Sequence, residues 1–134
     1  MEVELVDIMW LKPHEQVKPR NVDTLHEMTL RWSAYTKPLL VDRATGCILD
    51  GHHRYNVGLR LGLARVPVIM VDYLDDDGIE VEVWPASRLE TITKQNVIDM
   101  ALSGEVYPPK TSRHRFSDDM PPIAIPLDLL RISE

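Results

Sequence analysis

The sequence predicts an α+β fold: one compact domain, residues 1–134, with a mixed sheet and flanking helices. Three observations predict it. Residues 47–49 and 66–71 are short, continuous apolar runs of the kind that make buried strands, and a helical stretch lies between them. Ile79-Glu-Val-Glu-Val-Trp84 alternates strictly, the mark of an antiparallel strand with one face in the core. The segments beginning at Val22 and Thr93 carry helical signals instead. A length of 134 residues suffices for a core without disulfide or metal staples.

Taken in order, Val3 to Ile8 alternates apolar and acidic residues and predicts a half-exposed strand. Residues 11–17 read as a loop, because Pro13 disfavours helix. Val22, Leu25, Met28 and Trp32 recur at helical spacing, with Asn21 as the expected N-cap. Pro38 to Val41 is a short apolar strand, 42–46 a turn, and Cys47 to Leu49 the return strand. Gly51 makes a sharp turn into a helix, and Val66 to Tyr73 is the next strand. The acidic turn at 75–78 leads into the alternating strand. Thr93 should cap a helix that runs to Leu102 and closes at Gly104. Residues 108–116 read as a basic loop, followed by an apolar segment from Ile123 to Leu130.

Composition removes several classes of function. Hydrophobic content of 44% and charged content of 27% are those of an ordinary globular protein. The net charge of −6 argues against wholesale attraction to nucleic acid. A single cysteine excludes an intramolecular disulfide and a cysteine-only zinc site, and fits a reducing compartment. No apolar run is long enough to span a membrane, and the acidic start lacks the basic region of a signal peptide. A cytoplasmic protein without membrane attachment is the expectation.

Leu49-Asp-Gly-His-His-Arg54 is the most informative run. It sits between a buried strand and a helix, where ligands gather in open α/β arrangements. Unpaired N–H groups and a partial positive charge make a helix N-terminus a seat for phosphate. Gly51 lets backbone approach an anion, His52, His53 and Arg54 can add positive charge, and Asp50 can hold a phosphate-bound magnesium ion. The competing reading makes Asp50 a helix cap and leaves the histidines solvated. The spacing fits neither a Walker loop nor a dinucleotide fingerprint.

Two other loops carry candidate chemistry. Glu15, in a proline-bounded loop, is either a solvated carboxylate or a general base that takes a proton from a hydroxyl, with His14 placed to orient it. Lys110-Thr-Ser-Arg-His114 combines two hydroxyls, two cations and a histidine, and forms either an anion pocket or a solvated loop. Trp84 either walls a small ligand or packs in the core. Asp75, Asp76 and Asp77 read as a solvated turn, and Cys47 as a buried, inert thiol.

Together these segments resemble the ParB/sulfiredoxin superfamily, and within it the free L-serine kinases. The likeness runs in order through residues 11–15, 38–42, 49–54, 66–68 and 108–114. It implies phosphoryl transfer from ADP or ATP to free L-serine, giving O-phospho-L-serine. By that resemblance Glu15 is the catalytic carboxylate, and Asp50 with Gly51, His52, His53 and Arg54 forms the nucleotide and Mg2+ loop. Thr111, Ser112, Arg113 and His114 grip serine or phosphoserine, with Trp84 in the substrate pocket. Gln16 departs from the family pattern, in which a second acidic residue often follows. A ParB-like nucleotide-binding regulator or DNA-associated module without kinase activity is the alternative. A sulfiredoxin-like reductase is disfavoured, because His52 stands where that chemistry needs cysteine.

Overall fold

A computed structural model describes residues 2–118 and 120–133. A four-stranded mixed sheet lies at its centre. Strand β1 (Glu4–Asp7) pairs antiparallel with β5 (Arg65–Val71), β5 runs parallel to β3 (Leu39–Asp42), and β3 pairs antiparallel with β4 (Ile48–Asp50). All four residues of β3 are buried, which explains why a central strand covered on both faces reads as an unbroken apolar run. Its last residue, Asp42, accepts hydrogen bonds from Thr45 Oγ1 (2.7 Å) and the Tyr73 amide (3.2 Å). That buried carboxylate closes the turn at 42–46 and ties it to the end of β5.

The sheet separates two apolar clusters, and alternation along β3 feeds both. Leu39 and Val41 join Ile48, Val66 and Val68 in one cluster, which Tyr35, Leu127 and Leu130 extend. Leu40 points the other way, into a cluster with Ile69, Tyr73, Ile79, Val97 and Ile98. Helix α2 (His52–Leu61) connects β4 to β5, and α1 (Pro19–Trp32) packs along it. Helix α3 (Lys94–Ser103) begins with the expected Thr93 cap. Thr93 Oγ1 accepts from the Asn96 amide, the Asn96 side chain accepts from the Thr93 amide, and Gly104 ends the helix at φ 81°. Residues 34–35 (β2) and 125–126 (β8) form a small two-residue ladder, after which α4 (Leu127–Leu130) contributes one turn. Among the described residues, no helix is long and apolar enough to cross a membrane.

Two expectations need correction. Helix α1 starts at Pro19 after Lys18, and Asn21 lies inside its first turn. Proline presets the helical φ at the first position, so it moves the start ahead of the first apolar repeat. The expected basic loop at 108–116 is a loop only to Thr111, because Ser112–Phe116 is strand β7. It pairs antiparallel with β6 (Ile79–Val83), Glu82 opposite Arg113 and Val81 opposite His114. Strand β6 is therefore antiparallel as predicted, with its partner supplied from more than thirty residues later in the chain.

Candidate functional site

Strand β4 ends at Asp50 and Gly51 turns the chain into α2 at φ 106°, in the left-handed region. A Cβ on Gly51 would stand 2.8 Å from Leu39 Cγ, so both backbone conformation and close packing require glycine. No side chain caps α2. The capping reading of Asp50 therefore fails: its carboxylate is exposed beside the helix start, where it lies within electrostatic reach of His53 and Arg54. Helix α1 also begins without a side-chain cap. Lys18 and Asn21 at its start face the same cleft as His52 and His53 at the start of α2. Two helix N-termini, each with a partial positive charge, thus line one space, although in α1 Pro19 has no N–H and the Asn21 amide already donates to the Lys18 carbonyl (3.0 Å).

The loop carrying Glu15 is pinned from both sides. The Lys12 amide donates to the Gly46 carbonyl (2.9 Å) and Ile48 donates back to Lys12 (3.0 Å). Further along, Tyr107 donates to His14 and Gln16 donates to Tyr107, each at 2.8 Å. These bonds present Glu15 to the segment before β7. There Glu15 Oε1 accepts from the Thr111 amide (3.2 Å), the Ser112 amide (2.7 Å) and Ser112 Oγ (2.9 Å). Lys110 precedes them at φ 58°, a left-handed conformation rare for lysine, which turns successive amides toward one point as in an anion-binding nest. Burial pushes the Glu15 carboxyl above its usual range, while the Ser112 and Thr111 donors pull it back. Three of these donors share Oε1, and the Lys110 amide is a further donor to the same carboxylate.

Between these features lies a cleft of about 400 Å3. Glu15, Asp50, Gly51, His52, His53, Trp84, Ser112, Arg113 and His114 line it, joined by Lys18, Asn21 and Lys110. The volume suits a small polar ligand. Arg54 and Thr111 are not on its wall. Arg54 is largely buried near Tyr35, whose hydroxyl donates to the Arg54 carbonyl (2.6 Å). Thr111 spends its hydroxyl on the Pro108 carbonyl (2.7 Å) and contributes only its amide to Glu15.

The positive charge at the cleft comes from the expected loop cations Lys110 and Arg113 and from Lys18, and not from the histidines. His52 is buried, and its Nε2 accepts from the His14 amide (3.1 Å), which leaves the proton on Nδ1. Burial, with repulsion from His14, His114 and His53, holds the His52 pKa well below its usual value. His53 is lowered too, first by burial and then by Arg54. His114 falls to about 3, largely through burial, and its Nε2 lies 2.8 Å from the Tyr73 hydroxyl. These imidazoles are neutral at pH 7. Lys18, Lys110 and Arg113 are the cations at the cleft. Arg113 is already engaged: its Nε lies 2.6 Å and its Nη2 2.5 Å from Glu82 Oε1, and its guanidinium stacks on Trp84 at 4.6 Å. Lys110 stands over the same ring at 5.3 Å. The indole donates to the Ser112 carbonyl (3.0 Å), so Trp84 serves as a wall that fixes both cations and strand β7.

Lys18 was not singled out by sequence reasoning, and Asn21 was expected only as a helix cap. The signal for them was Pro19, which marks a helix start, and a helix start is where anions bind. Cys47 is buried as expected, with its thiol pushed up to about 12, mainly by burial. Among the described residues, no group of three or more His, Cys, Asp or Glu side chains is arranged to hold a metal ion.

An α+β fold with an anion-seeking cleft and one anchored carboxylate defines a class, and comparison with known proteins narrows it. No family model matches the chain. It is 41% identical over 83 residues to a ParB-like protein of Sulfolobus acidocaldarius, covering 62% of this chain and 41% of that protein. It is 30% identical over 98 residues to an ATP-dependent L-serine kinase of Staphylothermus marinus, covering 70% and 38%. It is 31% identical over 83 residues to the ADP-dependent L-serine kinase SerK of Thermococcus kodakarensis, covering 59% and 34%. The chain spans about two fifths of the length of the first two of these relatives and about a third of the last. Among solved structures, a free serine kinase in complex with AMP superposes with TM-score 0.85 at 19% identity, over 96% of this chain and 93% of that one. C-terminally truncated SbnI from Staphylococcus aureus superposes with TM-score 0.83 at 14% identity, over 98% and 90%. At these identities the structures establish the fold. In sequence the chain is similar to a ParB-like protein and to L-serine kinases, and in fold to the free serine kinase and SbnI structures.

Proposed function

We propose that this chain transfers a phosphoryl group from ADP or ATP to the hydroxyl of free L-serine, giving O-phospho-L-serine. The observation that carries the reading is the anchored Glu15 carboxylate, which lines the same cleft as the uncapped start of α2. Phosphoryl transfer asks little covalent chemistry of a protein: phosphates must be cradled, charge offset, and the acceptor aligned in line. The amides at the start of α2 and Gly51 cradle the donor's phosphates, and Lys18 and Lys110 offset their charge. Magnesium brought by the nucleotide would take Asp50 as its protein carboxylate, which fits an exposed, uncommitted side chain, and would neutralise phosphate charge there.

The Glu15 carboxylate takes the proton of the serine hydroxyl as that oxygen bonds to the terminal phosphorus. The bond from phosphorus to the bridging oxygen breaks, and the shortened nucleotide leaves with the electron pair. A carboxyl whose pKa is raised is a stronger base once ionised, which suits this role. The substrate's own carboxylate lies toward Lys110 and Arg113, beside Ser112 and His114. Likeness to L-serine kinases supports the acceptor, and likeness to both an ATP-dependent and an ADP-dependent one leaves both donors in the reading.

The test is Glu15→Gln, which keeps shape and hydrogen-bonding capacity but cannot accept the proton. A positioned base contributes about 10²–10⁴-fold, so kcat should fall by at least about a hundredfold. Nucleotide affinity, measured by calorimetry, should barely change. Transfer at close to the wild-type rate would move the base elsewhere.

A second reading has one specific support, the ParB-like relative at 41% identity. In it the cleft binds a nucleotide as a regulatory ligand, and no phosphoryl group moves. Nucleotide binding with no product in the presence of any amino acid would favour it.

A further inference from the structure

We infer that His14 and Ser112 are positioning residues for the Glu15 carboxylate, acting as a two-step hydrogen-bonded chain from the buried core to the cleft. This rests on the proposed role of Glu15 only for its catalytic consequence. The geometry stands by itself. Ser112 Oγ lies 2.9 Å from Glu15 Oε1 on one side and 2.9 Å from His14 Nε2 on the other.

A hydroxyl has one hydrogen to give and can accept from a second donor. With Glu15 ionised and His14 carrying its single hydrogen on Nε2, the Ser112 hydrogen goes to the carboxylate; Nδ1 is then the acceptor, facing the Cys47 thiol at 3.9 Å, and the Ile48 carbonyl competes for the imidazole hydrogen. His14 thereby fixes the direction in which Ser112 donates. His14 itself has almost no freedom. Its side chain is 1% exposed, its ring meets that of His52 edge-on at 4.6 Å, and its amide donates to His52 Nε2 at 3.1 Å. Since His52 is the first residue of α2, the chain also ties the position of Glu15 to the helix start across the cleft. Burial lowers His14 to about 4, so it works at neutral pH as an uncharged donor.

His14 does not touch Glu15 in any hydrogen bond, and it is buried behind Ser112. Its contribution must therefore pass through the serine hydroxyl. Two substitutions separate this role from packing. Glutamine places its amide nitrogen where His14 Nε2 stands, whereas asparagine reaches only as far as Nδ1. Both are polar, buried and smaller than histidine, so a purely structural position would suffer from either.

The experiment follows the Glu15 side-chain carboxyl by carbon-13 NMR as pH is varied, with the signal assigned by its loss in Glu15→Gln. Removing one donor from an ionised carboxylate raises its pKa by about one unit. Ser112→Ala should move the Glu15 midpoint upward by that amount, and His14→Asn in the same direction by less, because the Ser112 hydroxyl remains. Ser112→Thr and His14→Gln, which keep the donors, should stay near wild type. In turnover, the same two disruptive variants should lower kcat and carry the acidic limb of the pH profile upward, with the nucleotide KM unchanged. An unmoved midpoint in Ser112→Ala overturns the inference. So does an equal shift in His14→Asn and His14→Gln, which marks His14 as packing alone. The titration needs no turnover, so it can fail while Glu15→Gln still abolishes transfer, and the reverse.

Discussion

The cluster of neutral imidazoles beneath the cleft makes the fold acid-sensitive at a pH well above the usual range of carboxylate titration. His14 and His114, with ring centroids 5.8 Å apart, are lowered from 6.5 to about 4 and about 3, and burial also holds His52 well below its usual value. A base whose folded pKa is depressed binds protons more weakly in the native state than in the unfolded chain. Its contribution to stability is therefore present above 6.5 and is lost as pH falls from there toward the folded value. Glu15, whose folded pKa is raised, works in the opposite sense, and its contribution is lost as pH rises through that value. It offsets the histidines only where carboxylates titrate. For a group that moves from 6.5 to about 4, the difference between pH 7 and pH 5 is about 2 kcal/mol, at 1.36 kcal/mol for each unit. His14 and His114 together make about 4 kcal/mol, a large part of the 5–15 kcal/mol typical of a domain. Urea denaturation followed by tryptophan fluorescence at pH 7 and pH 5 reads this directly. With a slope of about 2 kcal/mol per molar, the midpoint should fall by about 2 M. His114→Gln, which cannot titrate, should lose the share of one histidine, about 2 kcal/mol of that dependence. Equal midpoints at the two pH values, or an undiminished difference in His114→Gln, would refute the reasoning.

Other consequences follow from single contacts. Asp50→Asn should weaken binding of magnesium–nucleotide at least tenfold and leave the thermal midpoint within a few degrees of wild type, because Asp50 caps nothing; calorimetry and thermal melting check the two halves. Gly51→Ala combines a left-handed φ with a Cβ 2.8 Å from Leu39, so it should cost about 1–3 kcal/mol in denaturant unfolding and reduce nucleotide affinity as the turn shifts.

The part of the chain between β4 and β5 was legible because its signals are local. Two apolar runs, a glycine at the turn and a polar helix face lie within twenty-five residues. Helix α3 was legible for the same reason, since Thr93 and Gly104 mark its ends. Strand β7 was hidden by its composition. Ser112 and His114 point inward because they meet Glu15, His14 and Tyr73, so the inward positions of Ser112-Arg-His-Arg-Phe116 carry polar side chains where a strand usually shows apolar ones. The same residues explain what was missed at the site. That Glu15, Asp50 and residues 112–114 share one cleft was read from a family likeness; the bonds that join them span 38 to 98 positions and leave no periodic trace. The charge of the histidines was misjudged because burial decides it, and neither His52 nor His114 announces its burial in sequence. Arg113 showed its cation but not its partner, because Glu82 becomes its neighbour only through the β6–β7 register.

Phosphorus NMR of the purified protein with magnesium, ADP or ATP in turn, and a panel of free amino acids tests the central claim most directly. A new phosphomonoester resonance should coincide with added O-phospho-L-serine, appear with serine and one or both nucleotides, and be lost in Glu15→Gln. Nucleotide resonances that broaden on binding yet yield no phosphomonoester with any amino acid would contradict that claim.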